Sequence, residues 1–170
     1  MDISCLYDKG VSFDEFVNKD KDTYKEKVLE ILNKIRLSDE LINKIKIIDK
    51  KIKVLVCAEI WCPDCMINVP VLAKMKEYNN NIDISIVEKN GNEDFFIKYS
   101  EEDRIKIPTF VFFDEKFKEL GSFVEHPKKI KNIISKGNQP NIIVAMRKYR
   151  KGEYAEETVK DILEILLRSQ

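Results

Sequence analysis

The first fifty residues carry the hydrophobic spacing of amphipathic helices. Apolar side chains recur at helical intervals along one segment, at Tyr24, Val28, Ile31, Leu32 and Ile35. Such spacing places them on one face of a helix. Ser12 and Thr23 each precede a glutamate by three positions, a pattern that predicts a capping box at two helix starts. Ser38 predicts the start of a further short helix. The N-terminal segment is therefore expected to be helical.

The pattern changes after residue 50, where short apolar runs begin to alternate with helical segments. Strands are predicted at residues 52–58, 82–86, 107–114 and 117–124. The first of these is apolar on both faces, which is typical of a buried central strand. The last two are close enough in sequence to pair as an antiparallel hairpin. Helices are predicted at residues 63–78, 93–99 and 127–135, with Pro70 as an expected kink in the first.

These elements predict an α/β fold in which a mixed sheet is flanked by helices. We divide the chain into an N-terminal helical extension at 1–50, a core at 51–136 and a C-terminal extension at 137–170 that packs on the core. In the last segment a turn is expected at Lys151 and Gly152. One helix is predicted after it, with a single apolar face formed by Val159, Ile162, Leu163 and Leu166.

Composition and charge argue against several classes of protein. Lys and Arg together number 30, as do Asp and Glu, so the formal net charge is zero. A nucleic-acid binder needs net or clustered positive charge. The hydrophobic fraction of 44% is sufficient for a core, yet no apolar stretch approaches the length of a membrane span. The N-terminus shows no basic region that leads into an apolar one. A cytoplasmic protein is the expectation.

The four cysteines, Cys5, Cys57, Cys62 and Cys65, are too few and too unevenly spaced for a disulfide scaffold. Two of them form a C-x-x-C motif where the strand at 52–58 is followed by the helix at 63–78. In a reducing compartment such a motif indicates redox chemistry or metal binding.

The position of this motif at a helix start favours redox chemistry. A thiolate on Cys62 can accept hydrogen bonds from the free N–H groups of the first helical turn and lies at the positive end of the helix dipole. Both effects favour the anion, which is the nucleophile. Cys65 follows one turn later, close enough to attack a mixed disulfide on Cys62. A disulfide across so short a loop contributes only about 2 kcal/mol of stability. We therefore interpret Cys62 as the attacking thiol and Cys65 as the resolving thiol.

These residues, with others further along the chain, resemble the thioredoxin superfamily, and more narrowly its bacterial thioredoxin-like branch with a Trp-Cys-x-Asp-Cys site. Trp61-Cys62-Pro63-Asp64-Cys65 resembles the redox site. Pro70 lies where thioredoxins kink the active-site helix, and Ile107-Pro108-Thr109 resembles the segment that contains the family's cis-proline. The resemblance covers about residues 52–135.

The resemblance implies a thioredoxin-like mixed sheet with extra helices at both ends. It implies a protein-disulfide oxidoreductase that acts in cell redox homeostasis, with Cys62 and Cys65 as catalytic residues. The substrate-binding residues that it implies are Trp61, Pro63, Asp64, Ile107 and Pro108. Pro108 is expected to be cis, so that the backbone of Ile107 can pair with an extended substrate segment beside Cys62.

The expected partners are a disulfide-containing protein or a small thiol substrate, together with a reductase such as thioredoxin reductase. Neither nucleic acid nor a membrane is expected as a partner. No cofactor is expected beyond the redox-active disulfide itself, and no metal.

The chain departs from thioredoxins around the cysteines. Many thioredoxins place a buried acid six residues before the first cysteine, where this chain has Val56. The basic residue that often follows the second cysteine is Met66. Glu59 is the nearest carboxylate and is a candidate proton acceptor for Cys65. A standard thioredoxin is therefore not expected.

Two charged groups near the motif leave the redox potential open. Asp64 adds a negative charge between the thiols, which opposes the effect of the helix dipole on Cys62. His126, the one histidine of the chain, precedes a predicted helix and is a candidate modulator of Cys62. Reductant, oxidant and isomerase all stay open as the direction of the reaction.

Two alternative functions also stay open. Cys62 and Cys65 would be two ligands of a zinc or iron–sulfur site if Cys57 and either Cys5 or His126 completed the set. Otherwise, a thioredoxin-like fold would serve as a non-catalytic module that presents its groove to a partner protein. Retention of both cysteines argues against this second alternative.

Overall fold

The computed structural model describes residues 2–21, 23–100 and 104–168. In chain order its elements are α1 (Ile3–Lys9), α2 (Phe13–Asn18), α3 (Tyr24–Lys34), α4 (Asp39–Lys46), β1 (Ile52–Cys57), α5 (Pro63–Tyr78), β2 (Ile82–Val87), α6 (Glu93–Phe96) with a 3-10 turn (Ile97–Tyr99), β3 (Thr109–Phe113), β4 (Glu119–Val124), α7 (Lys128–Ser135), α8 (Gln139–Arg150) and α9 (Ala155–Leu167). Within these ranges, no helix is both long enough and apolar enough to cross a membrane.

The sheet has four strands in the order β2-β1-β3-β4. β1 pairs in parallel with β2 and antiparallel with β3, while β3 pairs antiparallel with β4. The predicted mixed sheet and its hairpin are therefore confirmed. β1 is an interior strand, as its apolar sequence indicated. Because successive side chains of a strand point to opposite faces, Val54 and Val56 join one core cluster, whereas Leu55 and Cys57 join another.

The two core clusters differ in size. The larger lies on the face of the sheet that α5 covers and includes side chains of α3, α4, α8 and α9. The smaller core cluster, on the opposite face, consists of Leu6, Tyr7, Leu55, Cys57, Val87, Phe96, Ile105, Val111 and Phe113.

α5 begins at Pro63 and ends at Tyr78, as predicted, with Pro70 inside it. Its sequence is apolar around most of the circumference, which is typical of a helix buried within a protein. It packs against α3 on one side and α8 and α9 on another. Helices from both terminal extensions therefore cover the helix that carries the cysteine pair. The segment boundaries after residues 50 and 136 stay a prediction.

The two predicted capping boxes have different outcomes. At α2 the Ser12 hydroxyl accepts the N–H of Glu15 at 3.2 Å, and the Glu15 carboxylate accepts the N–H of Ser12 at 2.8 Å. At α3 the prediction for Thr23 is wrong, because its side chain makes no capping hydrogen bond. The Asp20 carboxylate instead accepts the N–H groups of Tyr24 and Lys25, each at 2.8 Å. A carboxylate is the stronger acceptor for these groups.

α8 is a helix that the hydrophobic pattern did not predict. The Asn138 side chain caps its start. Along the helix only Ala145 and Tyr149 are buried, whereas Ile143 and Val144 are 57% and 53% exposed. The apolar residues of α8 therefore do not mark its buried face, and their spacing in the sequence did not indicate a helix. α9 confirms the other helix predicted in this segment, with all four of its predicted apolar side chains buried.

Candidate active site

The C-x-x-C motif forms the first turn of α5. Cys62 is the N-cap residue in an extended conformation, and Pro63 occupies the first helical position, where the missing N–H of proline costs nothing. The Cys62 carbonyl accepts the N–H of Met66 at 3.0 Å. Cys65 therefore lies within the first turn, and the N–H groups of this turn have no helical acceptor. They are free to donate to a thiolate on Cys62.

The segment before β3 lies against this turn. The Ile107–Pro108 peptide bond is cis, which confirms the expectation from the resemblance. Cys62 Sγ is 3.7 Å from the carbonyl oxygen of Ile107. Both cysteines are free thiols, and Cys62 is 7% exposed whereas Cys65 is 0% exposed. Of the two residues, Cys62 is the one that is in contact with solvent.

The two thiols differ in their tendency to ionise. A hydrogen bond from the Cys65 side chain, joined by the backbone N–H groups of Cys65 and Asp64, lowers the pKa of Cys62 to about 7, although burial and the Asp64 charge oppose this. Burial, with the hydrogen bond to Cys62 and the Cys62 charge, raises the pKa of Cys65 well above its usual range. At pH 7 about half of Cys62 is therefore thiolate, while Cys65 keeps its proton.

The predicted substrate-binding residues surround Cys62. Trp61 is 56% exposed, and Pro63 beside it is also exposed. Asp64 and Ile107 are half-buried and Pro108 is buried. Sequence adjacency brings the first three of these residues to Cys62, whereas the packing of the cis-proline segment brings the other two.

Glu59 lies before the motif but its carboxylate is engaged elsewhere. One carboxylate oxygen accepts the backbone N–H of Lys89 at 2.9 Å. The backbone N–H of Glu59 is the group that opposes the rise in the pKa of Cys65. A role for its carboxylate as the proton acceptor of Cys65 stays a prediction.

The structure places His126 beside the first turn of α5. Its Nε2 is 3.0 Å from Oδ1 of Asp64, and its Nδ1 is 3.6 Å from Oε2 of Glu125. The ring packs edge-on against Tyr149, with ring centroids 5.2 Å apart. His126 is thus linked to Cys62 through Asp64.

A buried polar network behind α5 was missed from the sequence. Asn68 is 0% exposed, and its amide group donates to the carbonyl oxygen of Glu125 at 2.9 Å and to the hydroxyl of Tyr149 at 2.7 Å. Its amide oxygen accepts the hydroxyl of Thr158 at 2.9 Å. The sequence held one signal, a single amide in the otherwise apolar run 65–73 of the helix, since a buried polar group needs partners.

Asp64, Glu125 and His126 are also, within the described ranges, the one group of three or more His, Cys, Asp or Glu side chains close enough to share a metal ion. The two carboxylates contact opposite nitrogens of the imidazole, whereas the ligands of one ion converge on a single point. The group contains no cysteine. Its geometry is that of a histidine hydrogen-bonded to Asp64 and within ion-pair distance of Glu125.

The remaining cysteines lie away from this arrangement. Cys57 is 0% exposed and belongs to the smaller core cluster on the opposite face of the sheet. Burial, with a further contribution from the Glu59 charge, raises the pKa of Cys57 to about 12. It packs as a small hydrophobic side chain. Cys5 lies exposed on α1.

A mixed four-stranded sheet, a C-x-x-C motif at a helix start and a cis-proline against the first cysteine together define a protein of the thioredoxin-like class. A family model described as thioredoxin matches residues 10–142. The chain therefore belongs to the thioredoxin family. The match begins within the N-terminal helices, upstream of the segment 52–135 on which the sequence resemblance rests.

Two solved structures are similar over the whole chain. A protein of unknown function from Pseudomonas aeruginosa is 30% identical, with 100% of this chain and 99% of that chain covered and a TM-score of 0.88. An HIV epitope scaffold is 28% identical, with 100% of both chains covered and a TM-score of 0.87. None of the curated proteins matches the chain. The helices at both ends are therefore part of a fold shared with these two proteins, neither of which supplies an activity.

Proposed function

We propose that the protein is a thiol–disulfide oxidoreductase in which Cys62 attacks a disulfide and Cys65 resolves the intermediate. The observation that supports the proposal is that two thiols in one helical turn differ in opposite directions in solvent exposure and in pKa. Cys62 can be reached from solvent and has a pKa of about 7. Cys65 is fully buried and has a pKa well above its usual range. These properties suit Cys62 to the first attack on the substrate and Cys65 to the second step, in which the intermediate is resolved.

The reaction proceeds in two exchanges. The Cys62 thiolate attacks one sulfur of the substrate disulfide, the substrate S–S bond breaks, and the departing thiolate takes up a proton. Cys65 then loses its proton and attacks Cys62 Sγ, which releases the second substrate thiolate and forms the Cys62–Cys65 disulfide. Two electrons pass from the protein dithiol to the substrate. Glu59 stays the candidate acceptor for the Cys65 proton.

The surface around Cys62 suits a partner that carries an exposed disulfide. Trp61 and Pro63 offer exposed apolar area, and aromatic side chains contribute much of the contact energy at protein surfaces. We propose a disulfide-containing protein or a small thiol as the substrate, with Ile107 and Pro108 forming part of its binding surface. We further propose that a reductase such as thioredoxin reductase, in the cytoplasm, returns two electrons and two protons to the oxidised pair.

Reduction of insulin disulfides by dithiothreitol tests this proposal. We expect wild type to accelerate the reaction and Cys62→Ser to lower the rate to background, because a serine hydroxyl does not replace the thiolate. Cys57→Ser is the matched control, since it makes the same substitution five residues away, and it should keep the wild-type rate. Equal rates for wild type and Cys62→Ser would refute the proposal and favour a non-catalytic binding module. Metal analysis of the same preparations would reveal stoichiometric zinc or iron if the cysteines were ligands.

A further inference from the structure

His126 lies between two acids, one on each side of its ring, and is within hydrogen-bond distance of Asp64. Its side chain is 12% exposed, and its two ring nitrogens face Asp64 at 3.0 Å and Glu125 at 3.6 Å. A carboxylate only accepts hydrogen bonds, and a neutral imidazole carries a single N–H. Only the imidazolium offers a donor, and a positive charge, to both acids at once.

Among the other charged groups around this histidine, the negative charges outnumber the positive charges by one. Lys106, from the segment before the cis-proline, lies 3.4 Å from the Glu125 carboxylate. Tyr149 of α8 packs edge-on against the ring, and burial raises its pKa, so the phenol stays neutral. Two anions thus adjoin the imidazole, and one cation adjoins the second of them, Glu125. Protonation of His126 balances their charges, and its loss leaves Asp64 without a cationic neighbour among these groups.

The two lysines that follow His126 in the chain form ion pairs with glutamates of α9 and not with Asp64. Lys128 and Lys129 begin α7 and form ion pairs with Glu164 and Glu157 of α9. Neither of these ion pairs involves Asp64.

The position of His126 is fixed by the backbone around it. The N–H of Glu125 donates to the carbonyl oxygen of Pro108 at 2.8 Å, and the buried Asn68 donates to the carbonyl oxygen of Glu125 at 2.9 Å. The loop that carries the histidine is therefore tied both to the cis-proline segment and to α5. Asp64 adjoins Cys62 in the same turn, and its negative charge disfavours the Cys62 thiolate.

We propose that His126 is a positioning residue for the exchange reaction: as an imidazolium it neutralises Asp64 and so favours the thiolate of Cys62. The inference rests on the proposed role of Cys62 as the attacking thiol. The ionisations of His126 and Cys62 are then coupled, because loss of the His126 proton leaves the Asp64 charge unopposed beside the thiolate. The reactivity of Cys62 would then depend on pH through both groups.

Alkylation of Cys62 by iodoacetamide, followed by peptide mapping, tests the coupling without relying on turnover. At pH 6 the rate is proportional to the thiolate fraction, and we expect His126→Gln to be about three- to tenfold slower than wild type. At pH 8 the difference should disappear, since a neutral imidazole and an amide carry the same charge. A merely structural role would slow alkylation at both pH values and would overturn the proposal.

Two further variants show whether Asp64 transmits the effect. In an Asp64→Asn background we expect His126→Gln to change the rate at pH 6 by less than about twofold. The same slowing with and without Asp64 would contradict the proposal. Lys128→Gln removes a positive charge two positions along the chain, from an ion pair with Glu164, and should leave the rate unchanged. Urea unfolding confirms that each variant is folded.

The charge of His126 can be observed directly because the chain has one histidine. Nitrogen NMR of the ring at pH 6 should show both nitrogens protonated, and a neutral ring at that pH would overturn the proposal. Failure of the proposed function is a separate result. If insulin reduction survives the Cys62→Ser substitution, the proposed function is refuted. The alkylation rates would still show whether His126 and Cys62 are coupled.

Discussion

Cys57 and Cys62 are five positions apart in the chain and lie in opposite chemical environments. Cys57 ends β1 and has a pKa raised to about 12, whereas Cys62 begins α5 and has a pKa lowered to about 7. Burial alone does not separate them, because Cys57 is 0% and Cys62 is 7% exposed. The difference lies in the hydrogen-bond donors that each environment offers to a thiolate.

In β1 the backbone N–H groups are occupied by the ladders with β2 and β3. A thiolate on Cys57 would therefore be buried and opposed by the Glu59 charge, with only the Lys89 charge in its favour, which is costly. At the start of α5 the Cys65 thiol and the free backbone N–H groups of the first turn compensate the charge of Cys62. The same side chain is therefore an inert packing group at the end of a strand, whereas at the start of a helix it suits the nucleophile of the proposed reaction.

The largest expected difference is in the alkylation rates of the two thiols. At pH 7 their thiolate fractions alone differ by about 10⁴-fold or more, from the direction and size of the two pKa changes. Iodoacetamide labelling of the reduced protein at pH 7 should modify Cys62 and leave Cys57 unlabelled, with a Cys5→Ser background to remove the exposed thiol. The Cys62 rate should fall about fivefold from pH 7 to pH 6, and about tenfold for each pH unit below that, as the thiolate is protonated. Equal labelling of both thiols in the native protein would contradict the comparison.

Removal of the resolving thiol should trap the reaction halfway. In Cys65→Ser the substrate stays attached to Cys62, so insulin reduction should fall by about a hundredfold or more, in line with other residues that act as a unit. Mass spectrometry of the mixture should place the mixed disulfide on Cys62. Cys65→Ala is the informative companion, because it also removes the hydrogen bond that contributes most to the low pKa of Cys62. Alkylation at pH 6 should be slower in the alanine variant than in the serine variant. An adduct on Cys57 would be inconsistent with these roles.

The polar network behind α5 should be important for stability. Asn68→Ala leaves the buried hydroxyl of Thr158 and the carbonyl of Glu125 without their amide partner, so we expect unfolding to be easier by about 2–4 kcal/mol. Asn132→Ala, at an exposed position of α7, is the control and should change stability by less than about 0.5 kcal/mol. Urea unfolding measures both. A cost for Asn68→Ala no larger than that of the control would show that the network is not required.

The smallest expected effect is that of replacing Cys57, at the end of β1, on the free energy of unfolding. Cys57→Ala removes one buried sulfur from the smaller core cluster, and we expect a loss of about 1 kcal/mol in the free energy of unfolding. Insulin reduction should stay at the wild-type rate, because Cys57 lies on the opposite face of the sheet from α5. A loss of activity in a variant that remains folded would assign Cys57 a part in the reaction.

Much of the fold was predictable from local patterns. The strands, the bounds of α5 and the stripe of α9 follow from spacing that short segments of sequence display. α8 was missed because two of its apolar side chains, Ile143 and Val144, are exposed, so its periodicity does not mark its buried face. The cap of α3 was misassigned to Thr23 because the Asp20 carboxylate, three residues earlier, accepts the N–H groups of Tyr24 and Lys25 in the first turn.

By itself, the sequence determined the C-x-x-C motif, its place between a buried strand and a helix, and the proline that opens the helix. These features depend on residues adjacent in the chain, and the free N–H groups of a helix start follow from helix geometry alone. The tertiary structure decided what surrounds the motif. His126 meets Asp64 across 62 positions, and Asn68 meets Tyr149 and Thr158 across 81 and 90. The contacts of Asn68 arise when α5 packs against α8 and α9, and that of His126 arises when the loop after β4 packs against the start of α5. No local spacing encodes them.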